Sequence, residues 1–166
     1  MDKWSVILRR EIRRSKRVAI VGAGHIDRGD DAAGTLLARR LLDPAVPLPA
    51  TALVIAAEEA PENFTGAVRA FAPDLAVLVD AAFGGRPAGS VFLIDPAEIA
   101  DDDVSTHRIS LGQLARYIGE TMDCRVLLLG IEPASLEDRG GEAVSPFVDR
   151  AVLKIADILR RALAAG

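Results

Sequence analysis

Residues 17–34 read RVAIVGAGHIDRGDDAAG. Val18 to Val21 form an unbroken apolar run with β-branched side chains, the composition of a strand covered on both faces of a sheet. Gly22-Ala23-Gly24 closes that run with a tight turn. From Asp31 the chain continues as DAAGTLLARRLLD (31–43), apolar at helical spacing until Pro44. A strand that turns straight into a helix is the opening unit of an α/β fold.

Four more apolar runs follow: ALVIAA (52–57), LAVLVDAA (75–82), SVFLID (90–95) and RVLLLGI (125–131). Helical patterns alternate with them. PENFTGAVRAFA (61–72) ends at Pro73, and SLGQLARYIGETM (110–122) opens with Ser110 and Gln113 spaced as a capping box. SPFVDRAVLKIADILRRALAA (145–165) has Ser145 as N-cap and Pro146 at the first helical position. This order predicts a three-layer α/β/α fold with a five-stranded, mostly parallel, twisted sheet and helices on both faces. Between Ala82 and Ser90 only FGGRPAG intervenes, too short for a crossover helix. Residues 90–95 are therefore predicted to run antiparallel, at an edge of the sheet. No linker or repeat divides residues 1–166, which read as a single α/β domain.

Seven Lys and Arg residues between Lys3 and Arg17 surround Trp4, Ile7, Leu8 and Ile12. That pattern predicts an amphipathic surface helix, with residues 1–16 as a basic extension. The chain as a whole carries a net charge of −4, which argues against a phosphate-reading nucleic-acid face. No apolar run approaches the roughly 18 residues of a membrane span. The single cysteine, Cys124, cannot form an internal disulfide and reads as a small buried hydrophobe, consistent with a cytoplasmic location.

The glycine turn invites comparison with a dinucleotide fingerprint, but the third glycine is missing and Asp27 stands in its place. Asp27, Asp30 and Asp31 would repel a pyrophosphate, so no nucleotide cofactor is expected. Asp30 reads as a cap for the following helix, and Asp31 suits the first helical turn. Asp80 ends an otherwise apolar strand, where a carboxylate must be hydrogen-bonded, paired or metal-bound. In doubly wound sheets ligands bind where the strand order reverses. If strands one and three flank that point, Asp31 and Asp80 face one another, an arrangement that calls for a shared proton or a cation. His107, on a loop before Ser110, supplies a third donor, and an Asp-Asp-His set suits a divalent transition metal. His25 is a competing donor, equally suited to bonding its own turn.

Taken together, RGDDAAG (28–34), APENFTGAVRAFAPDLAVLVDA (60–81), THRISL (106–111) and LLLGIEP (127–133) resemble hydrogenase maturation proteases, most closely the branch that processes the large subunit of hydrogenase 3. The resemblance spans roughly residues 17–160. It implies a nickel-dependent endopeptidase that removes the C-terminal extension of a NiFe hydrogenase large-subunit precursor after nickel insertion. The family's catalytic and nickel-engaging positions fall on Asp31, Asp80 and His107, with the nickel supplied by the substrate. Gly29, Asp30, His25, Glu58 and Glu59 are the residues expected to contact that substrate. Three features depart from the family pattern. His25 stands where the family has Asn, AAEEAPEN (56–63) replaces a glycine-rich stretch, and the N-terminal helix is added. Two other readings remain at this stage: a nickel-sensing or chaperone-like module without proteolysis, and a metal-dependent hydrolase of other amides.

Overall fold

The computed structural model describes residues 2–98, 111–136 and 143–165. Five strands, β1 (Val18–Ala23), β2 (Ala52–Glu58), β3 (Leu75–Ala81), β4 (Val91–Ile94) and β5 (Arg125–Ile131), form one sheet in the order β2-β1-β3-β5-β4. Among the described residues five α-helices accompany them: α1 (Lys3–Arg13), α2 (Ala33–Leu41), α3 (Thr65–Phe71), α4 (Leu111–Thr121) and α5 (Pro146–Ala164). β1, β2, β3 and β5 are mutually parallel, and β4 runs antiparallel to β5 at the edge. All five apolar runs are strands, and the predicted α/β/α arrangement holds.

The chain leaves β1 for β2 on one side and returns to place β3 on the other, so the strand order reverses between β1 and β3. Two apolar cores lie against the two faces of the sheet. Val18, Ile20, Val77, Val79 and Leu129 pack with α1, α2 and α5, while Ala19, Val21, Ala76, Leu78 and Leu128 pack with α3 and α4. The alternation within β1 and β3 is the period-2 pattern of strands buried on both faces.

Two expectations change in detail. The short link at 82–90 does not form a hairpin between β3 and β4, because β5 lies between them. The link instead passes over the end of β5, with Ala82 N–H donating to the Ile131 carbonyl at 3.0 Å and Gly89 N–H to that of Glu132 at 2.8 Å. The basic N-terminal helix is more than a surface element. Leu8 is fully buried, with Trp4 and Ile12 beside it in the α5 core. Glu11, also buried, pairs with Arg125 at the start of β5.

Helix α2 lies against the sheet closely enough for backbone to touch backbone. A β-carbon added at Gly34 would stand 2.1 Å from the Val79 carbonyl oxygen and 2.4 Å from that of Ala23. Neither partner can yield without moving a central strand. Gly66 on α3, by contrast, faces open space. Gly34→Ala is expected to destabilise the protein by about 3 kcal/mol. Gly66→Ala, placed in a helix with nothing to meet, should stabilise it by about 0.5–1 kcal/mol. Urea unfolding of the two variants beside the wild type checks both signs.

Candidate functional site at the β1/β3 switch point

Gly22 pairs with Val79 near the carboxyl ends of β1 and β3, so the loop after β1 and the last residues of β3 meet at the reversal point. Asp80 and Ala81 follow on β3, both half-buried. Asp80 Oδ1 accepts the Ala81 N–H at 2.8 Å, which turns the carboxylate toward its own strand end.

Asp31 reaches the same region by a folded-back turn. Gly24 has φ +127°, and a β-carbon there would lie 1.7 Å from the Asp31 carbonyl oxygen. Only glycine permits this approach. The Asp31 N–H donates to the Arg28 carbonyl at 3.0 Å, and Asp31 Oδ2 accepts the His25 N–H at 2.9 Å. Residues Gly29–Ala32 form a 3-10 turn ahead of α2, so the α-helix begins two residues later than the periodicity predicts. The 3-10 turn starts at Gly29, whose φ of +51° again suits glycine.

His25 is a turn residue. Its Nδ1 accepts the Asp27 N–H at 3.1 Å, which in the neutral ring leaves the proton on Nε2. That nitrogen lies 3.6 Å from Glu59 Oε2. Glu58 ends β2 in the left-handed region, φ +52°, where glycine would be at ease. Its carbonyl accepts the Gly24 N–H at 2.8 Å, and its carboxylate pairs with Arg39 at 2.7 Å. The left-handed backbone gives a physical reason for a glycine-rich stretch at this point, and Arg39 and Gly24 hold the glutamate in its stead.

His107 lies outside the described residues, as does Ser110. Among the described residues no three His, Cys, Asp or Glu side chains gather into a metal-holding group. His25, Glu58 and Glu59 therefore do not complete a ligand set with Asp31 and Asp80. Asp31 and Asp80 each offer carboxylate oxygens, the donor type that hard divalent cations take.

Asp30 does not cap the helix that follows it. Its side chain is 4% exposed and turned inward. It accepts the N–H of Ala134 at 2.7 Å, the N–H of Ser145 at 2.6 Å and the Ser145 hydroxyl at 3.0 Å. The 3-10 turn aims the carboxylate away from the α2 terminus and toward the chain beyond β5. Ser145 in turn caps α5 as predicted, its Oγ accepting the Val148 N–H.

A second buried carboxylate, Glu132, escaped the sequence reading. It follows β5 directly, is 4% exposed, and accepts the Gly84 N–H at 2.7 Å. Its main chain also bonds Gly89 and Ser90. The signal that singled out Asp80, a carboxylate closing an apolar strand, was present in LLLGIEP too. Glu132 holds the 82–90 link against the end of β5.

Cys124 is half-buried rather than buried, and its thiol donates to the Arg125 carbonyl at 3.3 Å. Burial, with the nearby Asp74 charge adding to it, pushes the thiol up to about 11. A nucleophilic role is thereby disfavoured.

Two measurements follow from this geometry. Asp30→Ala strands three donors, and urea denaturation is expected to show a loss of about 3–5 kcal/mol. Iodoacetamide at pH 8 should alkylate Cys124 about a hundredfold more slowly than an unperturbed thiol. Because the thiolate fraction grows as pH climbs toward the raised pKa, that rate should increase about tenfold per pH unit up to pH 10.

The chain is similar to known proteins in sequence and in fold. A family model described as hydrogenase maturation protease matches residues 36–162. The hydrogenase 3 maturation protease of Escherichia coli K12 is 36% identical over 106 residues, covering 63% of this chain and 65% of that protein. The crystal structure of a NiFe hydrogenase maturation protease from Thermococcus kodakarensis KOD1 superposes with a TM-score of 0.84 at 32% identity. It covers 95% of this chain and 99% of its own. A crystal structure of the hydrogenase 3 maturation protease gives a TM-score of 0.73 at 30% identity, over 85% of this chain and 87% of that one.

Proposed function

The chain belongs to the hydrogenase maturation protease family, and from that premise we propose that it is an endopeptidase acting on the precursor of a NiFe hydrogenase large subunit. In this reading it removes the precursor's C-terminal extension after nickel has been inserted. What supports the reading is that the turn carrying Asp31 follows β1 and that Asp80 lies near the end of β3, the two strands between which the strand order reverses.

Asp31, Asp80 and His107 engage the nickel ion that arrives with the substrate. The two carboxylates bring negative charge to a cation, and the histidine adds a nitrogen donor. Such a cation can polarise a peptide carbonyl or make a water molecule a better nucleophile. The protein's share is orientation. The His25 N–H holds Asp31, the Ala81 N–H holds Asp80, and both carboxylates are thereby fixed before substrate arrives. An incomplete ligand set suits recognition of a metal already partly coordinated by another protein. Binding then depends on nickel having been inserted, which makes cleavage report on cofactor assembly.

Mass spectrometry of a purified, nickel-loaded precursor incubated with the protein tests this reading. Wild-type protein should yield a shortened large subunit and a released peptide, whereas nickel-free precursor should stay intact. Asp31→Ala and Asp80→Ala should each slow processing about a thousandfold, with unfolding midpoints near that of the wild type. Undiminished processing by both variants rules the site out. A stable complex with an uncut tail would replace proteolysis with nickel-dependent binding.

A further inference from the structure

At the edge of the sheet lies a groove of about 690 Å³ between β4, α1 and the start of α5. Val91, Phe92 and Leu93 line it in succession, together with Gly89 and Ser90. Consecutive strand residues at one wall mean that the groove runs along the backbone edge of β4 rather than over one face of the sheet. Among the described residues β4 pairs with β5 alone. The Glu132 N–H donates to the Ser90 carbonyl at 2.9 Å, and Phe92 lies opposite Gly130. By the alternation of an antiparallel ladder, Phe92 faces β5, and Val91 and Leu93 turn their N–H and C=O groups into the groove.

Such an edge has a specific chemical complement, an extended peptide that satisfies those groups as another strand. The charge around it is also specific. Lys3, Arg86 and Lys154 line the groove against Asp2 alone among its described residues. Asp2 is already paired with Lys154 at 2.5 Å. Arg86 lies over the Phe92 ring, 4.8 Å from its centroid, which holds its charge at the groove mouth. Cations beside an exposed edge deter pairing with basic or identical edges. They leave acidic segments as the favoured strand.

We propose that this groove is the docking site for an extended acidic segment of the precursor polypeptide, which adds to β4 as a sixth strand. The proposal rests on the protease reading given above and supplies its substrate-holding surface. Geometry links groove and site. Val91 pairs with Ile131, so the groove opens at the carboxyl end of the parallel strands, where Asp31 and Asp80 lie. An added strand would stand three strand spacings from β3, about 14 Å, which four or five extended residues span. The docked segment and the scissile bond are then separated by a short, countable stretch of substrate.

The test uses the full chain and a purified, nickel-loaded large-subunit precursor. Lys3→Glu/Arg86→Glu reverses the groove charge, and a glutamate in the first turn of α1 suits the helix dipole, so folding is preserved. Leu93→Pro deletes one outward N–H and leaves the ladder to β5 intact, as proline on an edge strand permits. The expected result is a KM raised about tenfold in the double variant, with kcat within about twofold of wild type. Amide exchange at Val91 and Leu93 should slow when wild-type protein binds the precursor. If the wild type cleaves but the double variant keeps its KM and these amides gain no protection, the groove is not the docking site. If the wild type does not cleave the nickel-loaded precursor at all, the protease reading itself fails.

Discussion

Everything at the carboxyl end of this sheet depends on one close approach, helix α2 resting its backbone on the ends of β1 and β3. Gly34 makes the contact possible, and Gly22 and Gly24 clear the other side of it. With side chains at these points the helix would have to stand off by the thickness of a methyl group, and packing at protein-interior density does not absorb such a gap cheaply. The approach has a consequence for chemistry. It folds the loop after β1 back onto its own strand, so that the Asp31 peptide sits on Gly24 and its carboxylate meets the His25 N–H. A glycine turn of the kind that cradles phosphate here presents a carboxylate, whose charge repels an anion.

Two buried carboxylates then tie the surrounding loops to this frame. Asp30 joins the loop after β1 to the ends of the segment between β5 and α5. Glu132 joins the end of β5 to the link that follows β3. Each is 4% exposed, with its carboxylate turned to donors of the protein itself. Their role is to convert flexible connections into fixed ones around Asp31 and Asp80, and backbone N–H groups are the partners in both cases. Neighbouring aspartates in the same short sequence, Asp30 and Asp31, thus have opposite orientations: one inward and structural, the other beside the reversal point.

Much of this was legible in the sequence. Five apolar runs became five strands, because strands buried on both faces have no choice of composition. The antiparallel edge strand followed from a link too short for a helix. Ser145 and Pro146 marked the start of α5 by the chemistry of an N-cap. Of the candidate site, the sequence offered the residues, and the fold supplied the neighbourhood of two of them. Asp31 and Asp80 stood out as carboxylates at strand and helix termini, and the reversal between β1 and β3 brought their segments together. Asp30 was misread as a cap because local rules assume that a carboxylate serves the nearest free N–H groups. Here donors more than a hundred residues away in sequence, at Ala134 and Ser145, claimed it instead. The basic N-terminal helix looked like a surface element for the same reason, its charges being local and visible and its core partner, α5, distant.

The sequence by itself determined the element order, the parallel sheet, the antiparallel edge and the residue types at the candidate site. These depend on periodicity, turn length and side-chain identity, all of which are local. Only the tertiary structure decided that β5 separates β3 from β4, that Glu58 takes a left-handed conformation beside Gly24, and that His25 bonds its own turn. It alone turned Asp30 inward. Each of these is a choice among partners brought together by folding, and a hydrogen bond goes to whichever donor the packed backbone places within reach.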